Sequence, residues 1–487
     1  MATTYQHGIY IQEEATSLVP TIEVSAGLPV VVGTAPLYLI NAPVAQLPTN
    51  KATLIYSYAE AVANFGYTDD WDNYTLCEYM DAAFSKNSIS PVVFINVLDI
   101  TKHKQSVEST QKSLTNKEVI LEDPVILSTL KVKKDEMGQE LKYGTEYMAA
   151  YNDDGKLLIT VTKEDVTDTI YVEYDKVDPS MVDTDAIIGG VDITTNKSEG
   201  LEVVADVYPL FNLVPGQIVV PKWSSDSEVA AVMDAKCENI NGSFRCMALV
   251  DVDTSTVKKY SDVNNWKNQN NITSPNLIVY WPKISLGEKT YHMSVLASCV
   301  TLNTDASYDD VPFKSPSNES IVGDGLVLDD GTEVVFGQDV ANYLNGVGVV
   351  TAINQNGWKL WGNNTAAYPG TTDPKDRWIC CRRMMNWIGN TLQTTFFSKI
   401  DNPIRPRFIE TIINSCNTWL DGLTAQQVIL GGRVEFQEEQ NSLTDLIDGS
   451  ITYHVYVGLC VPAEKIKFDL EFDVTYYNDL FTVMEVA

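Results

Sequence analysis

Leu28-Pro29-Val30-Val31-Val32 followed by Gly33-Thr34-Ala35-Pro36 is an apolar run closed by a turn. The run has no polar alternation, so it reads as a strand buried on both faces, the kind found in a parallel sheet covered by helices. Pro91 to Val97 repeats the pattern, and between the two runs Leu76, Tyr79, Met80, Ala83 and Phe84 recur at helical spacing. Further along, Asp226 to Ile240 reads as a helix, Met247 to Val250 and Leu277 to Trp281 as strands, and Thr301 to Phe336 as mostly polar connection. Strands alternating with helices predict a mixed α/β core built from residues 25–100 and 188–356.

Residues 101–187 interrupt that core. They hold 11 Lys and 18 acidic residues, and no Arg, Trp or Cys. Val119 to Leu121, Tyr147 to Tyr151, Leu157 to Val161 and Ile170 to Tyr174 read as short strands separated by turn signals such as Asp153-Asp154-Gly155. The segment is expected to be a small β domain inserted into the core and facing outward.

From residue 357 to 465 the pattern predicts an α+β unit. Trp378, Cys381, Met385, Ile388, Leu392 and Phe396 form one helical stripe. Ile409, Ile412, Ile413, Cys416, Trp419 and Leu420 form a second after Pro406, with Gly422 placed as a C-cap. Strands follow around Arg433 to Phe436 and Thr452 to Val461. The last run, Ile466 to Tyr477, alternates strictly: Phe468, Leu470, Phe472, Val474 and Tyr476 share one face, and Asp469, Glu471, Asp473 and Thr475 the other. Such a strand either closes its own sheet or pairs with another chain, where main-chain bonds would give affinity and alternate side chains register.

At 487 residues the chain is long enough for two to four domains. A net charge of −31 disfavours a phosphate-binding surface, so nucleic acid is not an expected partner. No apolar stretch approaches the length of a membrane span, and Met1 to Glu14 carries no secretion signal, so synthesis and folding are expected in the cytosol. Eight cysteines without C-x-x-C spacing read as buried thiols, the adjacent Cys380 and Cys381 as two independently packed ones. His7, His103, His292 and His454 stand at no catalytic or metal spacing. Gly33 to Pro36 lacks the later residues of a nucleotide loop. Asp251-Val252-Asp253 follows a strand and could hold a metal, but no oxygen-rich loop follows it. No catalytic, cofactor-binding or metal-binding residue is expected, and the chain is not expected to be an enzyme. One electrostatic feature stands out: between residues 375 and 407, Lys375, Arg377, Arg382, Arg383, Lys399, Arg405 and Arg407 face only Asp376 and Asp401. This patch reads either as a docking face for an acidic partner or as a solvated helix face paired with the chain's own acids.

Several motifs, in their joint order, resemble the contractile tail sheath proteins of bacteriophages and of phage-tail-like bacteriocins. They are His7-Gly8-Ile9-Tyr10-Ile11-Gln12-Glu13, Gly27 to Pro36, Gly357-Trp358-Lys359-Leu360-Trp361-Gly362-Asn363, Arg377-Trp378, Arg382-Arg383, Asn402-Pro403-Ile404-Arg405, Gly431-Gly432-Arg433-Val434, and Ile466 to Phe472. The resemblance covers both ends and much of the middle but not residues 101–187. It implies a structural subunit that stacks as six-membered rings around a tail tube and contracts to drive the tube through a cell envelope. An amino-terminal arm, residues 1–24 with Tyr5, Ile9 and Ile11, and a carboxyl-terminal arm, residues 466–487 with Phe468, Leu470, Phe472, Val474 and Tyr476, would add strands to neighbours' sheets. Arg377, Arg382, Arg383, Lys399, Arg405 and Arg407 would face the tube. The implied partners are further copies of the chain, the tube protein, and baseplate and tail terminator proteins. The implied location is a virion tail or tail-like particle assembled in the host cytoplasm. A non-contractile filament subunit and an α/β enzyme with a β insertion are the other classes the residues allow.

Overall fold

The computed structural model describes residues 19–152 and 154–477, and the arm residues Tyr5, Ile9 and Ile11 lie outside that range. The fold is mixed α/β and multidomain. Its centre is an eight-stranded sheet in the spatial order Trp358–Trp361, Val349–Asn354, Leu277–Tyr280, Met247–Asp251, Gln217–Val219, Pro29–Gly33, Val92–Asn96, Thr53–Ile55. The six inner strands run parallel, and the two edge strands are antiparallel to their neighbours. The inner strands are mostly apolar because helices cover both faces: Pro29–Gly33 and Val92–Asn96 are buried at every residue.

In such sheets the strand order reverses at one point, and the crevice beyond the carboxyl ends there is the usual ligand site. Here the reversal lies beside Pro29–Gly33, and the chain fills the crevice with its own residues. Thr34 N donates to Thr75 Oγ1 at 3.2 Å, Thr75 N donates to Thr34 Oγ1 at 3.1 Å, and Leu76 N donates to Thr34 O at 3.0 Å. Gly33 is required by this packing, since a Cβ there would lie 2.2 Å from Thr75 Oγ1.

Residues 104–177 build two three-stranded antiparallel sheets. One orders Lys104–Ser113, Thr169–Val177 and Lys131–Lys133, the other Glu118–Leu121, Leu157–Val161 and Tyr147–Tyr151. Lys104 pairs with Val177, so the chain leaves and re-enters the central body side by side. Leu121, Val132, Leu157, Ile159, Ile170 and Val172 belong to an apolar cluster separate from the central one.

Four expectations need correction. Thr301 to Phe336 is not all connection: the buried helix Met293–Ala306 runs into it, and Gly325–Val327 pairs with Lys283–Leu286. Thr301 and Thr304 fit inside that helix because each hydroxyl donates to the carbonyl one turn back, at Ala297 and Val300. Trp358–Trp361 is an edge strand of the central sheet, so a division at 356/357 cuts a hairpin. Gly422 does not end the second helix, which runs Pro406–Ala425 and is followed by Gln427 in the left-handed region at φ 62°. Finally, Ile466 to Tyr477 forms no strand within the chain; it is irregular to Asp473 and then takes a 3-10 turn, Val474–Tyr477.

Candidate interaction surfaces

The helix Ile379–Phe396 is buried on more sides than its predicted stripe required. Met384, Trp387 and Ile388 pack toward the helix Pro406–Ala425, whereas Met385, expected in the stripe, is exposed. A second buried stripe is polar: Arg383, Asn386 and Asn390, at the same three- and four-residue spacing, face the central α/β body. Arg383 Nη1 donates to Asp305 Oδ1 at 2.9 Å and Nη2 to Oδ2 more closely, and both side chains are 2% exposed. Asn386 Nδ2 donates to Cys246 O at 3.1 Å. Asn390 Nδ2 donates to Arg245 O at 2.8 Å, and its Oδ1 accepts from Arg245 N at 3.0 Å. Burial pushes the Asp305 carboxyl up and the Arg383 guanidinium pulls it back. These contacts form a seam that locks the carboxyl-terminal helices to the central body. Residues 19–24 reinforce it: Val19 N donates to Ser415 Oγ at 2.8 Å, Ile22 N to Thr395 Oγ1 at 2.9 Å, and the Trp387 indole to Val24 O at 2.7 Å. That part of the expected arm is docked on its own chain.

The structure therefore splits the basic patch. Arg383 lies inside the seam and presents no charge outward. Arg382 is largely buried, bound to Asp376 at 3.1 Å and to Asn386 Oδ1 at 2.9 Å. Arg377 stacks on Tyr368 and Trp378, donates to Asn364 Oδ1 at 2.9 Å, and reaches Glu464 Oε2 at 3.0 Å. These three arginines are consumed by the chain's own partners, because each lies beside an acid or amide already fixed in the fold. Lys399, Arg405 and Arg407 remain, in and after the turn between the two helices, with Arg405 and Arg407 exposed. Phe397, Ile400 and Ile404 are exposed among them.

Beyond the seam the chain closes a two-stranded antiparallel sheet, Ile429–Glu435 with His454–Leu459. Among the described residues each strand has one unpaired edge. The segment from Ile466 onward then leaves the body with its apolar side chains in solvent: Phe468 is 83% exposed, Leu470 97%, Phe472 74% and Tyr476 74%. Single exposed apolar residues are ordinary; a continuous alternating series is not.

The remaining polar candidates have internal partners. Asp251 is buried and its carboxylate accepts from Ser294 N and Oγ, while Asp253 accepts from Ser255 and Thr256. Burial pushes the Asp251 carboxyl up. His292 Nδ1 lies 2.8 Å from the buried Glu78 carboxylate, and the His454 ring packs on Tyr456. Among the described residues no group of three or more His, Cys, Asp or Glu could hold a metal, and no helix is long and apolar enough to cross a membrane.

The fold as a whole is similar to that of solved contractile sheath proteins. The chain matches the sheath of an extracellular contractile injection system, the PVC sheath complex in its contracted state, with a TM-score of 0.56 at 14% identity, covering 98% of this chain and 100% of that one. Its sequence relatives are tail sheath proteins. It is 24% identical over 500 residues to the tail sheath protein of Burkholderia phage BcepMu, 98% of each chain. It is 24% identical over 303 residues to a putative prophage major tail sheath protein of Pseudomonas aeruginosa, 61% of this chain and 75% of that one. No protein-family model matches the chain.

Proposed function

We propose that this chain is the structural subunit of a contractile tail sheath, stacking as hexameric rings around a tail tube and contracting to drive the tube through a target envelope. The observation that carries this reading is the segment Ile466 to Tyr477. It has strand periodicity, exposes its apolar face and among the described residues pairs with no strand, while the sheet at 429–435 and 454–459 offers edges that no described residue covers. Strand addition from the arm of one copy to the sheet of another satisfies both. The amino-terminal residues 1–24, with Tyr5, Ile9 and Ile11, act as the second arm, anchored to its own chain by residues 19–24.

The surface around Lys399, Arg405 and Arg407, with Phe397 and Ile400, is the tube-facing candidate. Its exposed charges are individually weak and sensitive to salt, which suits a contact that must release on contraction. Residues 101–187 form the outward domain. Further copies of the chain, the tube protein, and the baseplate and tail terminator proteins are the partners. Assembly takes place in the host cytoplasm, and work comes from a high-energy assembled state rather than from catalysis.

Negative-stain microscopy of the full chain and of the chain lacking residues 466–487, each alone and with a tube protein, tests the reading. Hollow tubes or tube-bound rings from the full chain only are expected. Discrete particles from the full chain in both conditions would sink it.

A further inference from the structure

Cys237 lies in the last turn of the helix Ser227–Glu238, and Cys246 leads into the central strand Met247–Asp251. Their sulfurs lie 3.4 Å apart, both side chains are buried, and Cys246 N donates to Cys237 O at 3.1 Å. That backbone bond brings the two main chains within the range a disulfide spans, and the thiols already face each other. Between them a tight hairpin turns at Asn241 and Gly242, both with positive φ, and Ile240 and Phe244 exchange backbone bonds. The far side of this loop is the seam: Asn386 holds the Cys246 carbonyl, and Asn390 holds both backbone groups of Arg245.

We propose that Cys237 and Cys246 are an oxidisable pair whose disulfide fastens the hairpin that seats the 379–396 helix. The oxidant is a low-molecular-weight disulfide such as oxidised glutathione. The Cys246 thiolate attacks one glutathione sulfur, forming a mixed disulfide and releasing one reduced glutathione. The Cys237 thiolate displaces the second, and the two cysteine protons end on the two glutathione thiols. In a reducing cytosol the thiols persist; in an oxidising medium the bond closes a loop of nine-residue separation, which restricts the unfolded chain. Burial raises the Cys237 thiol, so closure is slow and follows local opening of the hairpin.

The pair can be read directly, because trypsin cuts after Lys236 and Arg245 and so places the two cysteines in separate peptides. The full chain is incubated with oxidised glutathione, denatured, alkylated and digested. The expected product is the 237–245 peptide joined to the peptide starting at Cys246, lighter by two hydrogens and parted by a reductant. Recovery of the two peptides separately, alkylated or still carrying glutathione, overturns the proposal. Oxidation is also expected to raise the melting temperature of the full chain by about 2–3 °C and to leave Cys237→Ala unchanged. An equal response from both proteins overturns the fastening role.

Discussion

The 379–396 helix and the 466–477 segment depart from the ordinary burial rule in opposite directions. The helix hides an arginine and two asparagines; the segment shows phenylalanines and a leucine to solvent. Polar groups can be buried where every one is bonded, and an apolar row can stand exposed where another surface is due to cover it. The difference separates two parts of one chain: the seam ties the carboxyl-terminal helices to the central body, and the terminal segment, in the proposed sheath, would be half of a joint.

The seam is broken most severely at its buried charge. Arg383→Met leaves Asp305 buried without its partner and is expected to cost about 3–5 kcal/mol, read as a lowered denaturant midpoint. Arg383→Met with Asp305→Leu should recover most of the loss, and failure to recover would mean that packing rather than charge holds the seam. Asn390→Ala, which strands both backbone groups of Arg245, is expected to cost about 1–3 kcal/mol by the same measurement.

The exposed side of the comparison is sharpened by changes that spare the fold. Arg405→Glu with Arg407→Glu should shift stability by no more than about 0.5 kcal/mol, yet reduce co-sedimentation with tube protein. Unchanged co-sedimentation would move the tube contact elsewhere. A local effect is expected from Glu464→Gln, which keeps a hydrogen-bond acceptor and weakens only the charge of a partly exposed pair, a loss of roughly a few tenths of a kcal/mol at most. Its readout is faster tryptic cleavage after Lys465 with an unchanged melting curve.

Much of the body was legible because its signals are local. The buried runs at Val30 and Val92 predict central strands, and 147–151 and 157–161 are strands to the residue. The seam was hidden because charged and amide residues in a helix read as solvent-facing, although the 383, 386, 390 spacing carried the same periodicity as an apolar stripe. Pairing decided the rest. Arg377 and Arg383 have partners far off in sequence at Glu464 and Asp305, Arg382 has one six residues back at Asp376, and nothing in a run of basic residues states which of them are already taken. Lys104–Ser113 was missed as a strand because it is polar on nearly every residue and earns its place only through the ladder with Thr169–Val177.

The contact between Arg377 and Glu464 also has a mechanical meaning. The regular sheet ends at Leu459, yet the terminal segment is pinned again at Glu464, so residues 460–464 lie between two attachment points. Tension along the arm meets the ion pair before it meets the sheet. When the pair yields, residues 460–464 can straighten toward their contour limit of roughly 17 Å, and the slack is that length less the distance they already span. In the proposed sheath, a neighbour joined through this arm would be displaced by that slack before any force reached the ladder of the carboxyl-terminal sheet.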